Sequence, residues 1–525
     1  MSRAARVADR PTAPSPAPRL AGASRGTILI SKGMKLSELL EGVELKRPLA
    51  DAEREISALC YDSRRAAPGA AFFAIRGEVT DGNRFAAAAV ALGAAAIVSE
   101  MPRPADLAPQ VAWAEVADAR KALAISAANF FGHPAEALQL VGVTGTNGKT
   151  TTSYLIDSIL RAAGYSAGLF GTIAYRTPLG SVHATTTTPE SLDLQHFLSE
   201  IVSAGGTHAV LEASSHALAM DRLWGCPFDA AVFTNLTRDH LDYHKTFEAY
   251  FAAKRRLFAG TGKGPARVGV INADDPYGER LDGVAARSLR YGLRSGDITT
   301  RKVTLTGTGL DFEAETPTAA IAIRSHLVGR TNVYNILAAI GAAIALEIAP
   351  AAIASGIAQL EAVPGRFERV NAGQPFLVVV DYAHTDDALG NLLATARELL
   401  PAGGRILTLF GCGGDRDRTK RPLMGEAAGQ ASNFVVLTSD NPRSEDPLRV
   451  INDALVGLQR TGVEYRVEPD RERAISLVLE HARAGDIVLL AGKGHENYQV
   501  LGDRTIEFDD REMARRWLAR SGYAG

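Results

Sequence analysis

The chain is short of cysteine, of aromatic residues and of net charge. Cys60, Cys226 and Cys412 stand far apart with no CxxC spacing, which argues against a disulfide framework or a zinc ribbon and points to a reducing compartment. A net charge of −2 removes bulk attraction to nucleic acid or to an anionic membrane. No apolar run approaches the ~20 residues that span a bilayer. The start has little acid and no apolar core segment. "MSRAARVADRPTAPSPAPRLAGASRG" is rich in Ala, Arg, Pro and Ser, unlike a secretory signal, and its prolines spoil the amphipathic helix of a transit peptide. Residues 1–33 are therefore expected to be a disordered N-terminal extension. Met34 opens "MKLSELL", expected to be a first helix and a candidate true start.

What is present is ordinary globular composition, 46% hydrophobic and 22% charged over 525 residues, more than one core usually serves. The fold class expected is α/β in three domains. Residues 34–138 form the first, with strand endings at "AAFFAIRG" and "GAAAIVSE". Residues 139–362 form a central domain opened by "LQLVGVTGTNGKTTTSYLIDSILRAAG", a buried strand, a Gly-rich turn and a helix. Its further strands are "HAVLEAS", "AAVFTNL" and "RVGVINADD". A Pro-Gly break in "LEAVPGRFERV" marks the boundary to residues 363–525. There, "FLVVVDYAHTDD", "RILTLFGCGGDRD", "FVVLTSDNPR" and "DIVLLAGKGHE" read as the strands of a doubly wound, Rossmann-like sheet. Each ends in a polar or Gly-rich cluster, and such sheets bind ligands beyond the carboxyl ends of their strands.

The central turn carries the strongest single motif, GxxGxxGKT counted from Gly142. Gly145, Thr146, Asn147 and Gly148 let backbone N–H groups approach phosphate, Lys149 can reach terminal phosphates, and Thr150, followed by Thr151, opens the helix with a hydroxyl suited to Mg²⁺. The strict phosphate-loop form would need glycine at Val143. Glu212 at a strand end, and Asp239, His240 and Asp242 in "FTNLTRDHLDYH", suit a hard divalent cation. Taken singly, each is more simply a structural hydrogen bond. In "TFEAYFAAKRRLF", Phe247, Tyr250, Phe251, Leu257 and Phe258 make a helical apolar stripe with Lys254 inside it. That lysine either snorkels to water or is buried with a neutral amine open to modification.

"GTNGKTTT", "EASSH", "TNLTRDHLDYH", "AYFAAKRRLF", "TNVYNILAA", "PGRFE", "DYAHT", "GCGGDRDRTKRP", "DNPR" and "GKGHENYQ" occur in the order and spacing of the Mur ligases, and the chain resembles that family from about residue 35 to 520. The resemblance implies domains for a UDP substrate, for ATP and for an amino acid. It implies phosphorylation of a substrate carboxylate by ATP, with Mg²⁺ as cofactor, and attack of an amine on the acyl phosphate. Lys149 and Thr150 would hold phosphates and Mg²⁺, Glu212 and His240 would coordinate metal, and Lys254 matches a lysine carbamylated in the family. Asn332, Asn335, Arg366, Asp381 and His384 match ATP contacts. Ser63 of "YDSR", Thr187, Thr188, Ser214 and Arg222 match the UDP-substrate site. A monomeric cytoplasmic enzyme is expected.

Family members differ mainly in adding meso-diaminopimelate or L-lysine to UDP-N-acetylmuramoyl-L-alanyl-D-glutamate, and the two amino acids differ by one distal carboxylate. A forked arginine is the natural reader of a carboxylate. "DNPR" matches the diaminopimelate-adding form, with a site of Arg416, Asp440, Asn441, Arg443, Gly492 and Glu496, in which Asp440 and Glu496 suit the distal ammonium. The alternatives are the lysine-adding form, a D-alanyl-D-alanine-adding or folylpolyglutamate ligase with the same ATPase core, a phosphate-loop nucleotide switch, and an inactive binding module. The joint presence of Glu212, His240 and Lys254 argues against the last, and a switch would need no amino-acid site.

Overall fold

The computed structural model describes residues 27–77, 80–306 and 308–523. Strands Glu55–Cys60, Ala70–Ala74, Ala96–Ser99 and Ala112–Glu115 lie parallel in a five-stranded sheet, and Thr27–Lys35 closes one edge antiparallel. Helix Ala119–Phe131 covers it. Asp118 caps that helix by accepting from the Arg120 and Lys121 amides, and Gly132 ends it in the left-handed region. The edge strand corrects the expected tail. Thr27, Ile28 and Leu29 pair with Cys60, Leu59 and Ala58, the register shifts between Leu29 and Met34, Met34 sits opposite Ile56, and the first helix is Leu36–Leu39. The rest of the expected tail lies outside the described residues.

The central sheet has eight strands, in the order Ser288–Tyr291, Val268–Asn272, Ala230–Phe233, Gln139–Thr144, His208–Glu212, Ala167–Phe170, Ala174–Thr177 and Gly180–His183. The first six are parallel and the last two antiparallel. Helices Lys149–Ala162 and Arg330–Ala345 pack one face around Val143, Val210 and Val232. Helices Ser191–Ser203 and Phe247–Ala259 pack the other around Leu140, Leu211 and Phe233. A three-stranded antiparallel sheet, Thr299–Thr306, Gly309–Glu315 and Ala320–Ser325, is inserted before helix Arg330–Ala345. Burial alternates strictly along "AIAIRS", as in a strand with one buried and one exposed face.

The third sheet has six strands, ordered Glu368–Val370, Leu377–Asp381, Ile487–Ala491, Ile406–Cys412, Phe434–Ser439 and Glu464–Val467. All are parallel except the first. Their carboxyl ends face one side, as a doubly wound sheet requires. The starts of two inner strands are held by one carboxylate. Asp486 accepts from the Arg405 amide at 2.9 Å, from Arg405 Nη2 at 2.6 Å and from the Arg483 amide at 2.9 Å.

Among the described residues no helix is long and apolar enough to cross a membrane, and all three cysteines are buried and free.

Burial alone would raise the Asp486 carboxyl, but Arg405 and the two amides outweigh it and hold the group below its ordinary 3.8. A lowered carboxylate contributes stability above its unfolded pKa and loses it as pH falls through the folded one. Asp486→Asn should therefore cost about 2 kcal/mol at pH 7. In urea melts followed from pH 7 downward, the gap to the parent protein should close below about pH 4.

Candidate active site

The phosphate loop leaves strand Gln139–Thr144 and enters helix Lys149–Ala162. Gly145 and Gly148 have φ of 145° and 87°. A Cβ on the first would lie 1.8 Å from Thr234 Oγ1, and on the second 2.4 Å from Asn335 Oδ1, so only glycine fits either place. The neighbouring strand's loop fixes the turn. The Asn147 amide donates to Asn235 Oδ1 at 2.9 Å, Thr234 Oγ1 donates to the Asn147 carbonyl at 2.6 Å, and Thr146 Oγ1 meets Tyr250 Oη at 3.1 Å. Lys149 Nζ folds back on the carbonyls of Gly145 and Thr146 at 2.9 and 2.7 Å. Burial lowers its pKa, with Glu212 and Asp239 opposing.

Glu212 ends the middle strand fully buried. Its carboxylate accepts from Thr150 Oγ1 at 3.1 Å, the Thr172 amide at 3.1 Å and Thr172 Oγ1 at 3.1 Å. Thr172 Oγ1 continues to Thr187 Oγ1 at 3.2 Å. Thr188 Oγ1 donates to the Glu212 carbonyl at 2.6 Å and meets Ser214 Oγ at 3.2 Å, and Arg222 Nη1 donates to the Thr188 carbonyl at 3.0 Å. Four of the five residues expected at the UDP-substrate site are thus one connected group. Ser63 is not bonded to it. It begins a short turn of the first unit, two residues beyond Tyr61, whose hydroxyl donates to Asp193 at 2.6 Å.

Lys254 does not snorkel. Its side chain is 1% exposed, donates to the Gly145 carbonyl at 2.7 Å and lies 4.4 Å from the Tyr250 ring centre. Burial, then Lys149, push its amine well below the ordinary value. Asp239 and His240 are adjacent, with Nε2 3.3 Å from the carboxylate. Burial opposes the charge on Asp239, but His240 when protonated, Lys420 and the His240 amide outweigh it and hold the carboxyl below its ordinary value.

The third unit reaches onto this loop. Arg366 Nη2 donates to Thr150 Oγ1 at 3.1 Å, Asn147 Nδ2 donates to Asp387 at 2.6 Å, and Thr237 Oγ1 to the same carboxylate oxygen at 3.2 Å. Asp381 gives both oxygens to the amides of Phe367 and Ala383, at 2.7 and 2.8 Å, so it shapes the turns that carry Arg366 and His384. His384 Nδ1 lies 2.8 Å from the Tyr382 carbonyl. A carbonyl only accepts, so Nδ1 carries the proton and Nε2 keeps its lone pair. Burial lowers the imidazole to about 4, so it is neutral. On the central side, Asn335 Nδ2 donates to Asn332 Oδ1 at 2.9 Å.

A cavity of about 500 Å³ joins these parts, lined by Gly145 to Thr151, Glu212, His240, Lys254, Asn332, Asn335, Arg366, Asp381 and His384, with Thr187 and Ser214 at one side. Its size suits a nucleotide-scale ligand. Among the described residues no three His, Cys, Asp or Glu side chains converge as a self-sufficient metal cage. The Thr150–Glu212 pair offers two oxygen donors instead, the set Mg²⁺ takes when phosphates and waters complete its shell.

The six residues expected at the amino-acid site lie outside that cavity, at the carboxyl ends of the third sheet. Asn441 Nδ2 donates to Glu496 Oε2 at 2.9 Å. A Cβ on Gly492 would lie 2.6 Å from Asp440 Oδ2. Arg443 has φ +53°, an uncommon conformation for a bulky residue. It is held there by its amide donating to Val500 and Nη1 donating to Gly414, at 3.2 and 2.6 Å. A Cβ on Gly413 would sit 3.1 Å from Arg443 Nη1 and 3.8 Å from Arg416 Cγ, so a glycine keeps room between the two arginines.

Sequence reasoning missed three residues. Lys493 is fully buried and donates to Glu496 Oε2 at 2.9 Å; it stood in the quoted "GKGHE". Asp387 also stood in a quoted motif, "DYAHTDD", as an acid in the first turn of a helix capped by Thr385. Thr172 carried no signal, since its contacts all come from other strands and loops.

Sequence models of the Mur ligase family catalytic domain, the Mur ligase middle domain and the Mur ligase glutamate ligase domain match residues 55–131, 143–343 and 365–494. A relative in Solibacter usitatus (strain Ellin6076), named UDP-N-acetylmuramoyl-L-alanyl-D-glutamate–2,6-diaminopimelate ligase, is 56% identical over 495 residues, covering 93% of this chain and 99% of the relative. One of the same name in Geobacter metallireducens (strain ATCC 53774 / DSM 7210 / GS-15) is 45% identical, covering 91% and 97%. A solved structure bearing that name superposes with a TM-score of 0.63 at 34% identity, covering 94% of this chain and all of that one. With three family domains matched in order around a phosphate loop, and a relative more than half identical across nearly its whole length, this chain belongs to the Mur ligases, ATP-dependent ligases of acids with amino acids.

Proposed function

We propose that the protein joins meso-diaminopimelate to UDP-N-acetylmuramoyl-L-alanyl-D-glutamate at the expense of ATP. The observation that carries this is Arg443, held in a left-handed turn beside Arg416, at the strand ends that also carry Asp440 and Glu496. A ligand with both a distal carboxylate and a distal ammonium answers that arrangement. L-lysine offers the ammonium alone and would leave an arginine unpaired, a cost that gives large discrimination.

Chemically, a carboxylate is a poor electrophile. In the first step an oxygen of the substrate carboxylate attacks the γ-phosphorus of ATP, and ADP leaves. In the second the amine of the incoming amino acid attacks the acyl carbon, loses a proton, and phosphate leaves. The phosphate-loop amides and Lys149 would hold the phosphates, and Arg366 would add positive charge from the third unit. Thr187, Thr188, Ser214 and Arg222 would hold the UDP-linked substrate with its carboxylate toward Glu212, and Ser63 would contact it from the first unit. Asn332, Asn335, Asp381 and His384 would surround the nucleotide.

Mg²⁺ bound by Thr150 and Glu212, with His240 nearby, would neutralise charge on the phosphates. Lys254 suits carbamylation, because a buried neutral amine forms a C–N bond to CO₂ with release of a proton, and the anionic product faces the same cavity. Among the described residues the Lys254 amine has no carboxylate in ion-pair range, which supports reading it as neutral. The protein is read as a cytoplasmic monomer acting on these small molecules.

Phosphate release with ATP, Mg²⁺ and the UDP-dipeptide, across a panel of amino acids, tests the reading. Meso-diaminopimelate should exceed L-lysine in kcat/KM by about 10³-fold or more, and faster turnover with lysine would sink it. Arg443→Ala should raise KM for diaminopimelate about 100-fold and leave KM for ATP unchanged. Lys254→Ala should lower kcat about a thousandfold and recover part of it with added formate or acetate. Full activity without rescue would remove the carbamate.

A further inference from the structure

Arg471 and Asp510 are a buried pair of opposite charges that the proposed chemistry leaves unused. Both side chains are 0% exposed. Arg471 begins helix Arg471–Glu480 and Asp510 begins helix Asp510–Arg520. They form a two-pronged pair, Nε to Oδ1 at 2.8 Å and Nη2 to Oδ2 at 2.7 Å. The guanidinium has donors left over. Nη1 donates to the Ser439 carbonyl at 3.1 Å, and Nη2 to the Ala491 carbonyl at 3.0 Å.

Those two carbonyls are special by position. Ser439 and Ala491 are the last residues of their strands. The next residues, Asp440 and Gly492, begin the two loops of the amino-acid pocket. The strands are not neighbours, because Ile406–Cys412 runs between them. No ladder hydrogen bond can therefore set one loop against the other. The Arg471 fork spans the intervening strand at its carboxyl end. A lysine could not, since a single ammonium lacks the rigid planar fork. An apolar pair of equal volume would fill the space, often with no loss of stability, but would leave both carbonyls without this donor.

We propose that Arg471, oriented by Asp510, is the positioning residue that fixes the separation of the "DNPR" and "GKGHE" loops and so sets the fit of the amino-acid substrate. This rests on the reading of that pocket given above. Substrate never touches the guanidinium; it acts through the two strand ends. A displacement of one loop by about 1 Å can cost about 100-fold in rate, so the effect should fall on the amino acid and spare the nucleotide.

The test is Arg471→Lys in the full-length protein, with steady-state kinetics in each substrate and amide exchange by mass spectrometry. We expect KM for meso-diaminopimelate to rise at least about tenfold, KM for ATP to stay within about twofold, and exchange to quicken in residues 440–443 and 492–496 but not in the phosphate loop. Unchanged KM and exchange would overturn the proposal. So would a uniform rise in exchange with every kinetic constant worsening together, which is the signature of a merely structural role. Should that variant fail to fold, Arg471→Met combined with Asp510→Leu removes both charges. A folded double variant with normal KM for diaminopimelate, or a second failure to fold, also overturns it. If the parent protein does not turn over diaminopimelate, the substrate reading fails by itself, and exchange at the two loops still decides the role of Arg471.

Discussion

The buried carboxylate of Glu212 is the point on which the site depends. A charge taken out of water must be met by donors, and here the donors come from separate parts of the chain. Thr150 belongs to the phosphate loop, and Thr172 follows the adjacent strand and passes the contact to Thr187. Arg366, from the third unit, closes on Thr150. Satisfying one carboxylate thus brings together the phosphate loop, the segment that carries Thr187 and the third unit. The close approach of Gly171 follows, since a Cβ there would lie 2.1 Å from Glu212 Oε1.

The two charged pockets are built on opposite principles. Around the phosphate loop, positive charge is crowded and kept partly neutral: Lys254 and Lys149 are lowered by burial and His384 is held as neutral imidazole. Anionic phosphate would relieve that crowding. In the proposed amino-acid site, acids and bases are interleaved. Burial, then Asp440, raise the Glu496 carboxyl, while Lys493 pulls it down. Lys493 and Asn441 already occupy Glu496 Oε2. Asp440 gives Oδ1 to the Asn441 amide at 2.6 Å and, among the described residues, has no cation in ion-pair range, so in the proposed site it would be the better seat for an incoming ammonium.

Much of this was legible because the deciding residues are local in sequence. The phosphate loop needs a strand, glycines and a lysine within nine residues of each other, and "GVTGTNGKT" displays them all. The apolar stripe around Lys254 was legible for the same reason, since it lies on one helix, but the pattern left snorkelling and burial open, and it is the packing that buries the lysine. What was not legible is long-range. Thr172 matters through partners 15 and 40 positions away, and Asp387 through one 240 positions away. The edge strand Thr27–Lys35 was missed because its neighbours in sequence are disorder-like, and only pairing with Glu55–Cys60 reveals it.

The third sheet is fastened at both ends, by Asp486 beneath two inner strands and by the Arg471 fork above. Such a sheet transmits displacement the way a stiff plate does. It is joined to the central unit by a short span between Gln359 and Glu368, within which Gly365 has φ +66° and leaves no room for a Cβ against His495. Any swing about that span would part Arg366 from Thr150 and Asp387 from Asn147 together, and would carry the amino-acid pocket away undeformed. Under the proposed function, access to the nucleotide and alignment of the nucleophile would then be one mechanical coordinate, and a ligand that closed the first would deliver the second.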